Sequence, residues 1–99
     1  MVLRLRITPR AKRDIAEIRA YILEHDKQGA ERVRQRIIHA MDLLIDHPMM
    51  GPQSDEPGVR VRSVSPYPYR IYYRIKPDAV EILHVRHTAR REPDPSEVI

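Results

Sequence analysis

The chain of 99 residues contains no cysteine, tryptophan or phenylalanine, and it has only three glycines. Because cysteine is absent, disulfide bonds and thiolate metal sites are excluded, and the reducing cytoplasm is the compartment that we expect. Three glycines leave little material for a glycine-rich phosphate loop, and no Walker-like motif or Ser/His/Asp set occurs. The sequence thus gives no motif of a nucleotide-binding enzyme or a serine hydrolase.

Long apolar runs are also missing. No run approaches the roughly 18 residues that a membrane-spanning helix needs, so membrane insertion is not expected. The N-terminus MVLRLRITPRAKRD alternates apolar residues with arginine, which is typical of a strand rather than a signal peptide. A length of 99 residues fits one domain. We therefore expect a single domain over residues 1–99, with residues 88–99 as a tail.

Basic residues outnumber acidic ones by 18 to 14, which gives a net charge of +4 and a pI near 9.8. An excess of this size suits a nucleic-acid or ribosomal partner, an acidic protein partner, or simply a soluble surface. The distribution of the charge along the chain has to distinguish these three interpretations.

The first half of the chain predicts a strand followed by two helices. Residues 2–7, VLRLRI, alternate with period two. Thr8 offers an N-cap oxygen and Pro9 suits the first helical position. Apolar residues then recur with a spacing near 3.6, and after the break HDKQG they recur again from about Ala30 to Ile45. This pattern predicts an antiparallel helical hairpin.

The second half predicts a loop over residues 46–58 and three strands. The strands begin near Val59, Tyr69 and Val80, and the segments SPYP and KPDA form the turns between them. The last strand, about Val80 to His87, is apolar enough on both faces to be central. In the loop, Met49 and Met50 are expected to close over the edge of the core; the alternative is an adaptable contact with a partner. The order β-α-α-β-β-β predicts an α+β fold in which the helical hairpin covers one face of an antiparallel sheet.

Arginines alternate with apolar residues in the segment VRVRSVSPYPYRIYYRI, residues 59–75. We expect Val59, Val61, Tyr69, Ile71, Tyr73 and Ile75 to face the helices. The opposite, uncovered face would then hold Arg60, Arg62, Arg70, Tyr72 and Arg74. Guanidinium groups bind phosphate or carboxylate bidentately, and Tyr72 would add a stacking surface. Alternatively the face is merely solvated, with Glu92 or Asp94 from the tail neutralising it.

Two histidines lie near the chain end, in HVRHTARR. His84 and His87 are three residues apart, so on a strand they point to opposite faces and cannot bind one metal together. We expect no metal site. His87 is a candidate general base, and Arg86, Arg90 or Arg91 would stabilise a developing phosphorane in RNA cleavage. Alternatively, His87 only caps the strand end or forms hydrogen bonds.

Taken in order, four segments of the chain resemble the ParE/RelE superfamily of toxins from type II toxin-antitoxin systems. They are TPRAKRDIAEIRAYI, AMDLLIDHPMMG, VRSVSPYPYRIYYRI and VEILHVRHTARRE, within residues 3 to about 91. The resemblance implies a small toxin without a cofactor. It also implies a cognate, ParD-like antitoxin that wraps around the toxin in a hetero-oligomer.

The resemblance also bears on the target. Ribosome-dependent nucleases of the RelE type carry a Tyr or a His-Tyr pair after the last strand, whereas here Thr88 follows His87. The ending HTARR is similar to that of ParE-like members, which inhibit DNA gyrase, so we expect a gyrase inhibitor with no catalytic residues. The alternative is an mRNA-cleaving RelE-type enzyme acting on ribosome-bound RNA through His87, Arg62 and Arg90. Residues expected to contact the antitoxin or target are Arg60, Arg62, Arg70, Tyr72, Arg74, Arg86 and Arg90.

Overall fold

The computed structural model describes residues 3–88, in which two helices pack against a four-stranded sheet. The elements are β1 (Arg4–Ile7), α1 (Pro9–Leu23), α2 (Lys27–Asp46), β2 (Arg60–Ser63), β3 (Tyr69–Ile75) and β4 (Ala79–His87). This order confirms the predicted β-α-α-β-β-β sequence of elements. Most of the predicted tail, residues 89–99, lies outside the described residues.

The helix starts follow from local capping. Thr8 caps α1, since its Oγ1 accepts a hydrogen bond from the Ala11 N–H at 3.1 Å. Helix α2 begins at Lys27, earlier than the predicted Ala30, because the Asp26 side chain accepts a hydrogen bond from the Gly29 N–H at 2.8 Å. A Cβ at Gly29 would lie 2.3 Å from Asp26 Oδ2. Gly29, which the sequence suggested as part of a break between helices, therefore leaves the space that the Asp26 cap needs.

The strand order across the sheet is β1-β4-β3-β2. The prediction that β4 is central is confirmed. The prediction of a wholly antiparallel sheet is wrong, because β1 pairs with β4 in parallel. Tight turns connect β2 to β3 and β3 to β4, so those pairs are antiparallel. Between β1 and β4 lie both helices and the strands β2 and β3, and such a long connection permits parallel pairing.

The register of β2 overturns the predicted placement of two arginines. Arg60 pairs with Tyr73 and Arg62 pairs with Ile71, so both lie on the helix-facing side of the sheet. Val61 pairs with Tyr72 on the other side. Period-two alternation cannot say which set faces the core. The connection of residues 64–68 decides it, because it determines which residues of β2 and β3 stand opposite each other.

The core lies between the helices and the inner side of the sheet, which is the side that carries Ile71 and Tyr73. Both residues are fully buried, and so are Ile82 of β4 and Ile37 of α2. A register shift in the β3·β4 pairing lies between Tyr72 and Tyr73. Because of this irregularity, Ile82 and Val85, three residues apart, both face the core. Within the described residues, no helix is both long and apolar enough to cross a membrane.

Candidate functional site

The outer face of the sheet, turned away from the helices, carries part of the predicted arginine set. Across β3 and β4, Arg70 pairs with Arg86 and Arg74 pairs with Glu81. Arg74 Nη2 lies 2.8 Å from Glu81 Oε1, so this arginine has a counter-charge within the sheet. Arg70 and Arg86 stand opposite each other with like charges, an arrangement that is unfavourable in a cross-strand pair. Arg86 also lines a pocket with Asp14, and its charge acts on that carboxylate.

Tyr72 also lies on the outer face, where it pairs with His84. The two rings stack with centroids 4.4 Å apart and planes at 14°, and Tyr72 is only 7% exposed. The expectation that Tyr72 offers an uncovered stacking surface is therefore wrong. His84 and His87 do point to opposite faces, as predicted, because His87 pairs with the buried Tyr69. Among residues 3–88, no group of three or more His, Asp or Glu side chains is arranged to hold a metal.

A loop of residues 47–53, which we call the anchored loop, is tied to the core by Tyr73. The Tyr73 hydroxyl donates a hydrogen bond to the Pro48 carbonyl at 2.6 Å and accepts one from the Gly51 N–H at 3.0 Å. Burial raises the pKa of Tyr73, and the hydrogen bond from Gly51 opposes that rise. Tyr73 is thus a core residue whose hydroxyl also holds the anchored loop against the core by hydrogen bonds.

The anchored loop holds the two arginines of β2. Arg60 Nη1 donates to the Gly51 carbonyl at 2.7 Å, and Arg62 Nη1 lies 3.0 Å from the Met50 sulfur. The Arg62 Nε is buried and has no hydrogen-bond partner within residues 3–88. Met49 and Met50 are 66% and 45% exposed, so the expectation that they close over the core is wrong. Beside the partly buried Arg62 they form an exposed apolar edge.

His87 lies in a different place, a pocket of about 490 Å³ between α1 and the sheet. Its ring meets that of Tyr69 edge to face at 5.3 Å. Arg10 and Asp14 of α1 also line the pocket. Arg62, the predicted catalytic companion of His87, does not line this pocket, and Arg90 lies outside the described residues.

Asp14 is a residue that the sequence reasoning missed. Its Oδ2 accepts a hydrogen bond from the Val85 N–H at 3.0 Å, which ties α1 to β4. Burial raises the pKa of Asp14, while that hydrogen bond and the charge of Arg10 oppose the rise. Helical periodicity assigns Asp14 to the polar side of α1, so no signal in the sequence marked it.

Comparison with known protein families bears directly on this fold. The family model of the ParE toxin of type II toxin-antitoxin systems matches residues 5–92. The chain belongs to this family. It is thus a type II toxin of the ParE/RelE superfamily, and the resemblance drawn from its four sequence segments is confirmed.

Relatives of this ParE-family toxin agree over nearly its whole length. A candidate toxin, Y4kP of Sinorhizobium fredii, is 41% identical over 90 residues, covering 91% of this chain and 93% of that protein. Toxin RelE3 of Caulobacter vibrioides is 32% identical over 85 residues, which cover 84% of this chain and 91% of that protein. Among solved structures, a chain of the chromosomal ParDE system from P. aeruginosa has a TM-score of 0.80 at 22% identity. The match covers 87% of this chain and 96% of that chain. A chain of RelBE2 from Mycobacterium tuberculosis has a TM-score of 0.67 at 22% identity, and the match covers 88% of this chain and 99% of that chain. The two structures support the fold alone.

Proposed function

We propose that this toxin inhibits DNA gyrase by protein contact and that a cognate, ParD-like antitoxin neutralises it in a hetero-oligomer. The observation that carries the proposal is the match of the ParE family model to residues 5–92. The residue after His87 adds support, because Thr88 stands where ribosome-dependent relatives carry a tyrosine. No catalytic group of the toxin is required for this activity.

The gyrase proposal is tested with purified full-length toxin in a supercoiling assay with relaxed plasmid. We expect loss of supercoiling as the toxin is added, and restoration when the antitoxin is supplied. In cells, induction should raise DNA breaks and the SOS response while translated mRNA stays intact. Unchanged supercoiling at a large molar excess of folded toxin would refute the proposal.

The antitoxin is expected to place acidic residues against the toxin's arginines. Of the predicted contact residues, Arg60, Arg62, Arg70, Arg74 and Arg86 remain candidates, whereas Tyr72 is nearly buried and Arg90 lies outside the described residues. We favour Arg70 and Arg86, since they face each other with like charge, and Arg62, since its Nε is buried with no hydrogen-bond partner in the described part of the chain. The solved RelBE2 neighbour is itself a toxin-antitoxin complex, which supports such a partner.

The antitoxin surface is tested by charge reversal. Arg70→Glu should weaken antitoxin binding and flatten its salt dependence, because it removes one charge of the Arg70/Arg86 pair and adds a repulsive one. Lys76→Glu, in the β3·β4 turn, makes the same change of charge away from the proposed contacts and serves as the control. Equal affinities of the two variants in isothermal titration calorimetry would place the antitoxin elsewhere.

A second candidate function is cleavage of ribosome-bound mRNA. It is favoured by one arrangement, the imidazole of His87 edge to face with Tyr69 in a pocket that Arg10 also lines. These groups match the needs of general acid-base catalysis beside a phosphate. On this hypothesis, toxin added to translating ribosomes cuts mRNA at the A site, and His87→Ala abolishes cutting. Intact mRNA, together with inhibited gyrase, would eliminate this candidate.

A further inference from the structure

One surface feature shares only Arg62 with the sites described so far. A shallow groove of about 610 Å³ runs between α2 and the β2·β3 connection, lined by Arg32, Gln35, Arg36, His39, Pro66 and Tyr67. A smaller depression of about 120 Å³ shares Arg36 and His39 with it and extends to Arg62. We call the two together the α2-turn groove.

The charge of the α2-turn groove has one sign. Arg32, Arg36 and Arg62 line it, and no Asp or Glu of the described chain does. Arg32 Nη2 comes within 3.7 Å of Asp26 Oδ2, but both side chains are more than half exposed, so this ion pair is weak. The groove is therefore a cationic surface with little internal neutralisation.

The arginine at the centre of the groove is held in place. Arg36 donates from Nε and Nη2 to the Ser65 carbonyl, at 3.3 and 3.1 Å. Two hydrogen bonds to one oxygen fix the plane of the guanidinium, so little side-chain entropy remains to be lost when an anion binds. The bonds also tie α2 to the β2·β3 connection and keep the two walls of the groove together.

The spacing of the cations favours a rigid, regularly charged partner. Arg32, Arg36 and His39 lie on one side of α2, at about 6 and 10 Å along the helix axis for a rise of 1.5 Å per residue. Duplex DNA carries one phosphate for every ~3.4 Å of axis on each strand, and its backbone is stiff. Single-stranded binders instead use several aromatic side chains in succession, whereas the lining of this groove contains one aromatic ring, that of Tyr67.

We propose that the α2-turn groove binds the phosphate backbone of duplex DNA, with Arg32 and Arg36 each contacting a phosphate and His39 donating a further hydrogen bond. This inference goes beyond gyrase inhibition and does not depend on it. It adds a direct and sequence-independent contact between the toxin and DNA.

The test is a fluorescence anisotropy titration of a labelled 20-base-pair duplex with full-length toxin, without gyrase, at 50 and 200 mM KCl. For two arginine-phosphate contacts the affinity should fall about 12-fold between these salt concentrations, from a slope of about −0.9 per contact. The double variant Arg32→Gln/Arg36→Gln should reduce this fall to less than about 2-fold, and it should bind at least 10-fold more weakly at 50 mM. Because Arg36 also bonds Ser65, the single variant Arg32→Gln provides a second test, and thermal melts verify folding.

The matched control is Arg34→Gln, on the same helix, where Arg34 pairs with Glu31 at 3.2 Å outside the groove. This control should change DNA affinity less than 2-fold. Equal losses in Arg34→Gln and Arg32→Gln would overturn the proposal, because net charge alone would then explain binding. Displacement of the duplex by polyglutamate at equal charge concentration would also overturn it, in favour of an acidic peptide. Since no gyrase is present, failure here leaves the supercoiling test unaffected.

Discussion

The hydrogen bonds between Tyr73 and the anchored loop give the most specific prediction. Tyr73→Phe removes one oxygen atom that makes two hydrogen bonds, to the Pro48 carbonyl and from the Gly51 N–H. Tyr73 is fully buried and Gly51 is buried as well, so the Gly51 N–H loses its acceptor without reaching water. Leaving a buried donor unsatisfied costs about 1–3 kcal/mol, and the second lost bond adds about 1 kcal/mol. We therefore expect the free energy of unfolding to fall by about 2–4 kcal/mol.

The measurement is urea denaturation followed by far-UV circular dichroism, together with a thermal melt. For a domain of this size, a loss of 2–4 kcal/mol lowers the Tm by on the order of 10–20 °C. Tyr21→Phe is the control, because Tyr21 is 66% exposed and should change stability by less than about 0.5 kcal/mol. A loss below about 0.5 kcal/mol for Tyr73→Phe would refute the argument that these bonds fasten the loop.

The same variant has a pH signature. Burial raises the pKa of Tyr73 above its ordinary value of 10.0, so the folded state favours the protonated phenol. This contribution is fully present below pH 10 and is lost as the pH rises through the folded pKa. The stability difference between the wild type and Tyr73→Phe should therefore be constant up to about pH 10 and shrink above it. A difference that grew with alkaline pH would contradict the assigned direction.

Two further positions give direct tests of stability. Gly51→Ala would place a Cβ 2.6 Å from the Val61 carbonyl oxygen and 2.7 Å from the Tyr73 hydroxyl, so we expect a clearly lower Tm; a Tm equal to that of the wild type would show that the loop adjusts freely. Asp14→Ala should cost about 1–3 kcal/mol in urea denaturation, because the Val85 N–H loses its acceptor. Asp14→Asn keeps an acceptor and removes a charge whose burial raises the pKa of Asp14, so it should match or exceed wild-type stability at pH 7. That advantage should disappear as the pH falls below the ordinary value of 3.8, and an advantage that persisted there would contradict the linkage.

Local signals predicted the order of the elements well. The Thr8-Pro9 start of α1 follows from side-chain capping, and the turn around Pro77-Asp78 from the conformations that those residues favour. Both effects act within a few residues, so they are readable in the sequence. The predicted start of α2 was wrong because Gly29 has two opposing effects on a helix. It disfavours a helix in general, but here it makes room for the Asp26 cap.

Contacts between residues that are far apart in the chain could not be predicted from the sequence. The gathering of Asp14, Tyr69 and His87 around one pocket joins α1, β3 and β4, which are far apart in the chain. Likewise, Arg36 and Ser65 meet only because α2 packs beside the β2·β3 connection. No spacing pattern reports such contacts, since they depend on how whole elements pack.

The sequence by itself determined which segments become helices and strands, that β4 is central, and that the chain resembles ParE/RelE toxins, because propensity, capping and apolar periodicity are local properties. Only the tertiary structure decided which side of the sheet each arginine occupies. A strand with alternating residues is equally consistent with either face, and a shift of one residue exchanges them. The pairing of Arg60 with Tyr73 placed two of the predicted outer arginines beside the anchored loop. The pairing of β3 with β4 separately places Arg70 and Arg86 opposite each other on the outer face.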